Sequence, residues 1–235
     1  MMDEKDPRFR IAAARRILAR EGCESRVAGH VSERAAGEDA FWVSPFGYFD
    51  ETTPDMVIKL SFDLERIEGE WTPSPAVEFH AALYKARGDV GSVIHTHSHE
   101  LSKFVTRARV IGMYNVASVL FHDEQVLFDR EDMVNNTMGG GLVRVLGDKR
   151  VALMKNHSAV IASESLEQAT IEAMMLEHCA EYHLAAEAIG GTEFPIDEVV
   201  RGKARYRELF LPNMWEANYR RLRKSDPDLF ACLDA

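Results

Sequence analysis

Apolar and polar positions alternate along the chain in two ways, one typical of helices and one typical of short strands. Apolar stripes at helical spacing predict a first helix from the Asp6–Pro7 pair to Gly22 and a long helix from Ser165 to Gly190. Short apolar runs bounded by turn residues predict strands, and these cover residues 29–34, 41–43, 56–60, 64–67, 93–97, 151–154 and 159–162. Hairpins outnumber strand–helix–strand units, which favours an α/β fold with a mostly antiparallel sheet flanked by helices.

Three further segments complete the predicted organisation. A helix begins at Ser74–Pro75 and ends at Gly88, and a weakly helical stretch over 133–145 is interrupted by Gly139–Gly141. The charged and aromatic residues after 193 predict a helical extension. We therefore expect one domain over 1–193, and an extension over 194–235 that packs on the same domain or on a neighbouring subunit.

Composition and charge narrow the possible partners and surroundings. The chain of 235 residues is 46% hydrophobic and carries a net charge of -10, with no block of Lys and Arg. An acidic chain of this kind binds nucleic acid or an anionic membrane poorly. It also has no apolar run of about 20 residues, the length that a membrane-spanning helix needs. Its three scattered cysteines and polar, acidic start predict a reducing, cytoplasmic setting.

The chemistry centres on His95 and His97, which follow an apolar run one residue apart. If the run is a strand, both side chains point to the same face and can meet one metal ion. A pair of ordinary surface histidines is the alternative. His157, in a predicted turn between two apolar strands, would supply a third imidazole and leave a coordination position open, as in catalytic metal sites.

Several motifs appear in an order that resembles the class II aldolase/adducin-like domain family over roughly residues 8–190. They are Gly29-His30-Val31-Ser32-x-Arg34, Ser44-Pro45-Phe46-Gly47, Pro73-Ser74, the segment 79–84, the segment 89–97 and Asn156-His157-Ser158. The resemblance implies a three-layer α/β/α sandwich and a homotetramer with its site between subunits. It also implies that His95, His97 and His157 bind a divalent metal, most often zinc, with manganese or iron as alternatives.

The chain departs from sugar-phosphate aldolases of this family at the position of the general base. Those enzymes carry a glutamate four residues before the histidine that matches His80, and here that position is Ala76. Glu78 is the nearest carboxylate, but two residues correspond to about 200° around a helix. Glu78 can therefore substitute only if the helix begins late or the loop differs.

The positions that match the family's phosphate-binding motifs also differ. His30, Phe46 and Pro75 stand where polar side chains suited to a phosphate are usual. The substrate-binding candidates are His30, Ser44, Phe46, Gly47 and Ser74. We infer a non-phosphorylated oxo- or hydroxy-acid substrate, and the aromatic residues Trp42, Phe46 and Phe49 suggest a bulky one.

The function that follows from this resemblance is a metal-dependent carbon–carbon lyase acting on a small molecule. A divalent ion stabilises the enolate formed when a bond next to a carbonyl breaks, in aldol cleavage or in decarboxylation. Decarboxylation needs no base, so the loss of the glutamate is less damaging to it. Tyr114, Glu78 and His122 are candidate proton donors. Two alternatives remain, an Fe(II)-dependent oxygenase on the same three histidines and a non-catalytic adducin-like assembly domain.

Overall fold

A computed structural model describes residues 2–133 and 137–233, and within them the chain forms helices around one sheet. The helices are α1 (Pro7–Arg20), α2 (Glu78–Ala86), α3 (His99–Phe104), α4 (Met138–Leu146), α5 (Leu166–Ala188), α6 (Ile196–Arg205), α7 (Leu211–Ser225) and α8 (Pro227–Phe230). The strands are β1 (His30–Arg34), β2 (Ala40–Val43), β3 (Ile58–Ser61), β4 (Arg66–Glu68), β5 (Ser92–Thr96), β6 (Gln125–Phe128), β7 (Val151–Met154) and β8 (Ser158–Ser163). No helix of these two ranges is both long and apolar enough to cross a membrane.

The strand order across the sheet is β4-β3-β2-β1-β5-β8-β7-β6. Neighbouring strands run antiparallel except β6 and β7, which are parallel. Strands β1, β5 and β8 lie side by side at the centre, where His30 of β1 is opposite His95 of β5. The mostly antiparallel sheet that the sequence predicts is thus confirmed.

Helices cover both faces of the sheet, because successive strand residues point to opposite sides. On one face, α1, α3 and α5 pack over residues such as Ile94 and Ile161, and on the other α2 and α4 pack over Val93 and Val160. The chain is therefore a three-layer α/β/α sandwich, as the family resemblance implies.

The capped helix starts predicted from the sequence are also present. Asp6 accepts a hydrogen bond from the backbone N–H of Arg8, and Ser165 accepts one from that of Gln168. Each bond satisfies a donor that the first helical turn leaves unpaired. The hairpin of β1 and β2 and the strands β7 and β8 lie within two residues of their predicted positions.

The glycine run does not interrupt its helix, so that part of the sequence prediction is wrong. Helix α4 passes through Gly139 and Gly141 without a break, because the glycines allow close packing rather than ending the helix. A Cβ on Gly139 would lie 2.5 Å from the Glu78 carboxylate, and one on Gly141 would lie 2.4 Å from the Asp132 carbonyl oxygen. The start of the predicted helical stretch falls partly on residues 134–136, outside the described residues.

The extension after residue 193 packs against this chain's own helices. Leu222 and Leu229 are buried in the same apolar cluster as α1 and α5. Arg16 of α1, itself buried, forms ion pairs with Asp226 at 3.3 Å and Asp228 at 2.7 Å. The division of the chain at residue 193 stays a prediction.

Candidate metal centre

Strand β5 fixes the position of the first histidine of the pair. His95 is buried between β1 and β8, and its Nδ1 lies 2.8 Å from the carbonyl oxygen of Ala159 on β8. A carbonyl oxygen only accepts hydrogen bonds, so Nδ1 donates and carries the ring proton. The other nitrogen, Nε2, therefore presents a lone pair, which is the form that binds a metal.

His97 lies just after the end of β5 and is held by the loop that precedes β1. Its backbone N–H donates to Ser25 Oγ at 2.5 Å. This loop can approach β5 only because residue 29 is glycine. A Cβ on Gly29 would lie 2.5 Å from the Ser25 Cβ and 2.7 Å from the Phe49 ring. Close packing thus explains why the first sequence motif has a glycine at this position.

His157 reaches the same place from the turn between β7 and β8. The turn requires a left-handed residue, and Asn156 takes this role with φ of 56°, a conformation that asparagine tolerates. The Nε2 of His97 lies 2.8 Å from that of His95 and 2.9 Å from that of His157. We call these three residues the open cluster, because His95 is buried while His157 is exposed.

The electrostatics of the open cluster favour neutral imidazoles. Burial, more than any other cause, lowers the pKa of all three rings, and that of His97 falls to about 4 with a further contribution from His157. At neutral pH the three rings therefore hold lone pairs rather than positive charges. Three ligand atoms within 4.8 Å of one another, all of the borderline-soft imidazole type, fit a divalent transition metal.

A second set of polar side chains lies directly behind the open cluster and is buried. Tyr84 Oη lies 2.7 Å from Ser32 Oγ, Ser32 Oγ lies 2.6 Å from His80 Nδ1, and His80 Nε2 lies 2.6 Å from His30 Nδ1. We call these four residues the closed network. Each contact can pair one donor with one acceptor, and the His30 ring ends the series 5.0 Å from the His95 ring.

Two cavities border the open cluster, one at His97 and one at His157. One of about 440 Å³ lies beside His97 and is bounded by the loop that includes Ser25 and Arg26. The other, of about 740 Å³, lies beside His157 and includes Arg130 and Met138. Both are within the size range of small-molecule sites, so a ligand of the open cluster has room beside His97 or beside His157.

The predicted substrate-binding residues differ in their contacts within the chain and in their exposure. The Ser44 hydroxyl accepts from the N–H of Val31, and the Ser74 hydroxyl accepts from that of Ala76. Gly47 offers its carbonyl oxygen to buried Arg15, and Phe46 is 43% exposed. His30 is buried in the closed network. Their roles toward a substrate stay predictions.

Two aromatic residues do not fit the bulky-substrate reasoning. Phe49 is fully buried in the apolar core, with the Arg15 guanidinium 4.4 Å from its ring centre, and Trp42 is buried as well. Trp42 and Phe49 therefore lend no support to a bulky substrate, and the size of the substrate stays a prediction. Phe49 packs beside the loop before β1, where a Cβ on Gly29 would lie 2.7 Å from its ring.

The two predicted catalytic residues lie in different places. Helix α2 does begin late, at Glu78, and the Glu78 carboxylate accepts from the N–H groups of Met138 and Gly139, both at 3.1 Å. It thereby caps α4 at a helix end that favours negative charge. The Tyr114 ring packs against His183, with centroids 4.7 Å apart, rather than against the open cluster.

The closed network was not predicted from the sequence, although the spacing of its residues along the chain indicates two pairs that share a face. His30 and Ser32 are two apart on a strand, and His80 and Tyr84 are four apart on a helix, so each pair shares a face. Sequence reasoning also missed Arg130, which follows strand β6. That strand was not predicted, because its four residues come after a polar segment and lack an alternating pattern.

The chain is similar in sequence and in fold to several known proteins. The model of the class II aldolase and adducin N-terminal domain family matches residues 9–184. A Streptomyces roseochromogenus subsp. oscitans protein named 4-hydroxy-3-prenylphenylpyruvate oxygenase/4-hydroxy-3-prenylbenzoate synthase is 29% identical over 97% of this chain and 86% of its own length. Decarboxylase NovR of Streptomyces niveus is 29% identical over 94% of this chain and 86% of its own length. The structure of L-fuculose 1-phosphate aldolase from Glaciozyma antarctica PI12 shares the fold, with a TM-score of 0.83 and 22% identity over 94% of this chain and 90% of that one.

Proposed function

We propose, from the premise that the chain belongs to the class II aldolase and adducin N-terminal domain family, that it is a divalent-metal-dependent carbon–carbon lyase. Its substrate would be a non-phosphorylated oxo- or hydroxy-acid, cleaved by aldol chemistry or by decarboxylation. The observation that carries the proposal is the convergence of three imidazole Nε2 atoms within 4.8 Å beside two cavities.

The residues of the open cluster would hold the metal, with zinc proposed first and manganese or iron as alternatives. A bound divalent ion supplies positive charge that stabilises an enolate oxygen. The hydrogen bond from His95 to Ala159 keeps the His95 ring oriented with Nε2 toward the other two nitrogens. The exposure of His157 leaves one side of the cluster accessible to a substrate.

We propose Glu78 and Tyr114 as the groups that move protons. Support for Glu78 is its hydrogen bond to Met138, because Met138 lines the cavity beside His157. Tyr114 packs against His183 in its own chain, so its role would belong to a site shared between subunits of the proposed homotetramer. The substrate-binding role of His30, Ser44, Phe46, Gly47 and Ser74 is part of the same proposal, as is a cytoplasmic location.

A second candidate is an Fe(II)-dependent oxygenase that uses the same three histidines. The specific observation in its favour is the name of one relative, an oxygenase that is 29% identical over nearly the whole chain. Imidazole ligands suit iron as well as zinc, and geometry alone does not select between them. The identity of the metal separates the two candidates.

The test is the metal content of protein purified without chelator or metal-affinity resin, measured by plasma mass spectrometry. We expect about one divalent ion per chain, lost in His97→Ala. The matched control is His99→Ala, since His99 is two residues away and its side chain is 80% exposed. Zinc or manganese supports the lyase and iron supports the oxygenase. No metal in the wild-type protein, even after metal is added, would leave a non-catalytic assembly domain.

A further inference from the structure

The cavity beside His157 is lined by both apolar and charged side chains. Its apolar lining residues are Phe128, Met133, Met138 and Met154. Its charged lining residues are Arg130, Lys155 and Asp129. Methionine side chains are flexible and polarisable, and they adapt to the shape of an apolar ligand.

The two cations of this cavity differ in how far they are already neutralised. The Lys155 ammonium pairs with the Asp129 carboxylate at 2.6 Å. Asp132, two residues after Arg130, pairs with Arg144 at 3.1 Å. Among residues 2–133 and 137–233, no carboxylate forms an ion pair with the Arg130 guanidinium. Arg130 thus brings to the cavity a positive charge that, unlike that of Lys155, is not held in an ion pair among the described residues.

The Arg130 charge also acts on the candidate metal centre. After burial, it is the largest cause that lowers the pKa of His157. Arg130 and His157 also line the same cavity, so one small molecule bound there can contact Arg130 and the open cluster together. A guanidinium binds a carboxylate through two parallel hydrogen bonds, a geometry that a lysine does not offer.

We propose that Arg130 binds a carboxylate of the substrate in this cavity, with the carbon skeleton against the methionines and a substrate oxygen directed at the open cluster. The inference rests on the proposed function and names its substrate class, a carboxylic acid with an apolar body such as an aromatic ring. A volume of about 740 Å³ accommodates a molecule of that size.

The pairing with Arg130 has a consequence for the reaction. When a carboxylate leaves as CO₂, the electron pair of the broken C–C bond stays on the neighbouring carbon as an enolate, which is then protonated. An arginine on the departing carboxylate would stabilise the starting state instead. The carboxylate held by Arg130 is therefore the one that stays in the product. If the reaction is a decarboxylation, the substrate carries a second carboxylate near the metal.

The experiment compares three probes on zinc-loaded protein by isothermal titration calorimetry: phenylpyruvate, its methyl ester and pyruvate. We expect Arg130→Gln to weaken phenylpyruvate binding about tenfold, the effect of losing a charged hydrogen-bond partner, and to leave the ester unchanged. Met138→Ala should weaken phenylpyruvate but not pyruvate. The matched control is Arg201→Gln, because Arg201 is an exposed arginine on α6 that pairs only with Asp197 four residues before it among the described residues.

The outcomes separate this inference from the proposed function. Zinc stoichiometry is measured on every variant first, and equal values in wild type and Arg130→Gln show that the metal centre is intact. Equal phenylpyruvate affinity in these two proteins, or no binding by wild type, overturns the role of Arg130 while leaving the metal centre in place. If wild type binds no zinc, the proposed function fails, and the same titrations on the metal-free protein decide whether Arg130 binds the carboxylate.

Discussion

The open cluster and the closed network are two neighbouring sets of side chains with imidazoles, which meet where His30 of β1 is opposite His95 of β5, and they differ in how their nitrogen atoms are paired. In the open cluster, three Nε2 atoms face one another at 2.8 and 2.9 Å. In the closed network, each imidazole contact pairs a nitrogen with a hydroxyl or with a different nitrogen of the next ring. The first set brings like atoms together and the second alternates donors and acceptors.

This difference indicates what each set needs. Buried polar groups that alternate as donor and acceptor satisfy one another and stabilise the folded chain. Three neutral imidazoles whose same nitrogens converge cannot all be satisfied by the protons that they carry, because each neutral ring has one. A cation resolves this arrangement. We therefore expect the closed network to govern the stability of the metal-free protein, and the open cluster to govern the response to metal.

The largest expected effect is that of His80→Ala on the metal-free protein. His80 is fully buried and contacts Ser32 and His30 at 2.6 Å each. Its removal leaves the buried His30 Nδ1 without its partner, takes one of the contacts of Ser32 Oγ and creates a cavity, so the free energy of unfolding should fall by about 3 kcal/mol. Urea unfolding in the presence of chelator measures this change.

The control for this prediction is His99→Ala, an exposed histidine whose removal should change the free energy of unfolding by less than about 0.5 kcal/mol. A His80→Ala protein as stable as this control would mean that the closed network contributes nothing to folding. The closed network would then not govern the stability of the metal-free protein, as the comparison of the two sets requires.

The second expected effect concerns His157→Ala and requires metal. His157 is on an exposed turn, so its loss should change the stability of the metal-free protein by no more than about 0.5 kcal/mol. A ligand that binds only the folded state at 100 times its dissociation constant stabilises it by about 2.7 kcal/mol. We expect zinc to raise the free energy of unfolding of wild type by this amount, and His157→Ala to lose the increase.

The matching arm is His80→Ala with and without zinc. This variant should start from a lower stability and still gain from the metal, because its substitution spares the three ligand atoms. If zinc stabilised His157→Ala as much as wild type, the metal would be bound elsewhere, and the open cluster would not be its site.

Features that depend on local sequence could be predicted, and features that depend on packing partners could not. The apolar run before His95 placed His95 and His97 on one face, since strand side chains alternate, and the structure brings them together. The low helix propensity of glycine led to the prediction that helix α4 is interrupted. In the structure, these positions are glycine because Glu78 and Asp132 approach them closely. Helix propensity is a local property of each residue, so it could not predict this contact.

The same limit applies to strand β6 and its neighbour. β6 pairs in parallel with β7 because helix α4 connects them, and a strand–helix–strand connection places its strands parallel. Without β6, neither Arg130 nor the cavity beside His157 could be located from the sequence. The ligand candidates could be predicted because they lie in or directly beside well-patterned strands, and the cavity could not because its lining begins at the unpredicted strand β6.

The smallest expected effect is that of Tyr84→Phe, which removes only the last hydroxyl of the closed network. Ser32 still has His80 as its partner, so no buried group loses every contact, and the ring still packs against Phe41 and Phe62. The free energy of unfolding should fall by about 1 kcal/mol, the net value of one hydrogen bond. Tyr182→Phe on α5, where the residue is 56% exposed, should change nothing. If Tyr84→Phe lowered the free energy of unfolding as much as His80→Ala, the closed network would act as one cooperative unit. If it lowered it not at all, the Tyr84 hydroxyl would contribute nothing and the network would extend only to Ser32.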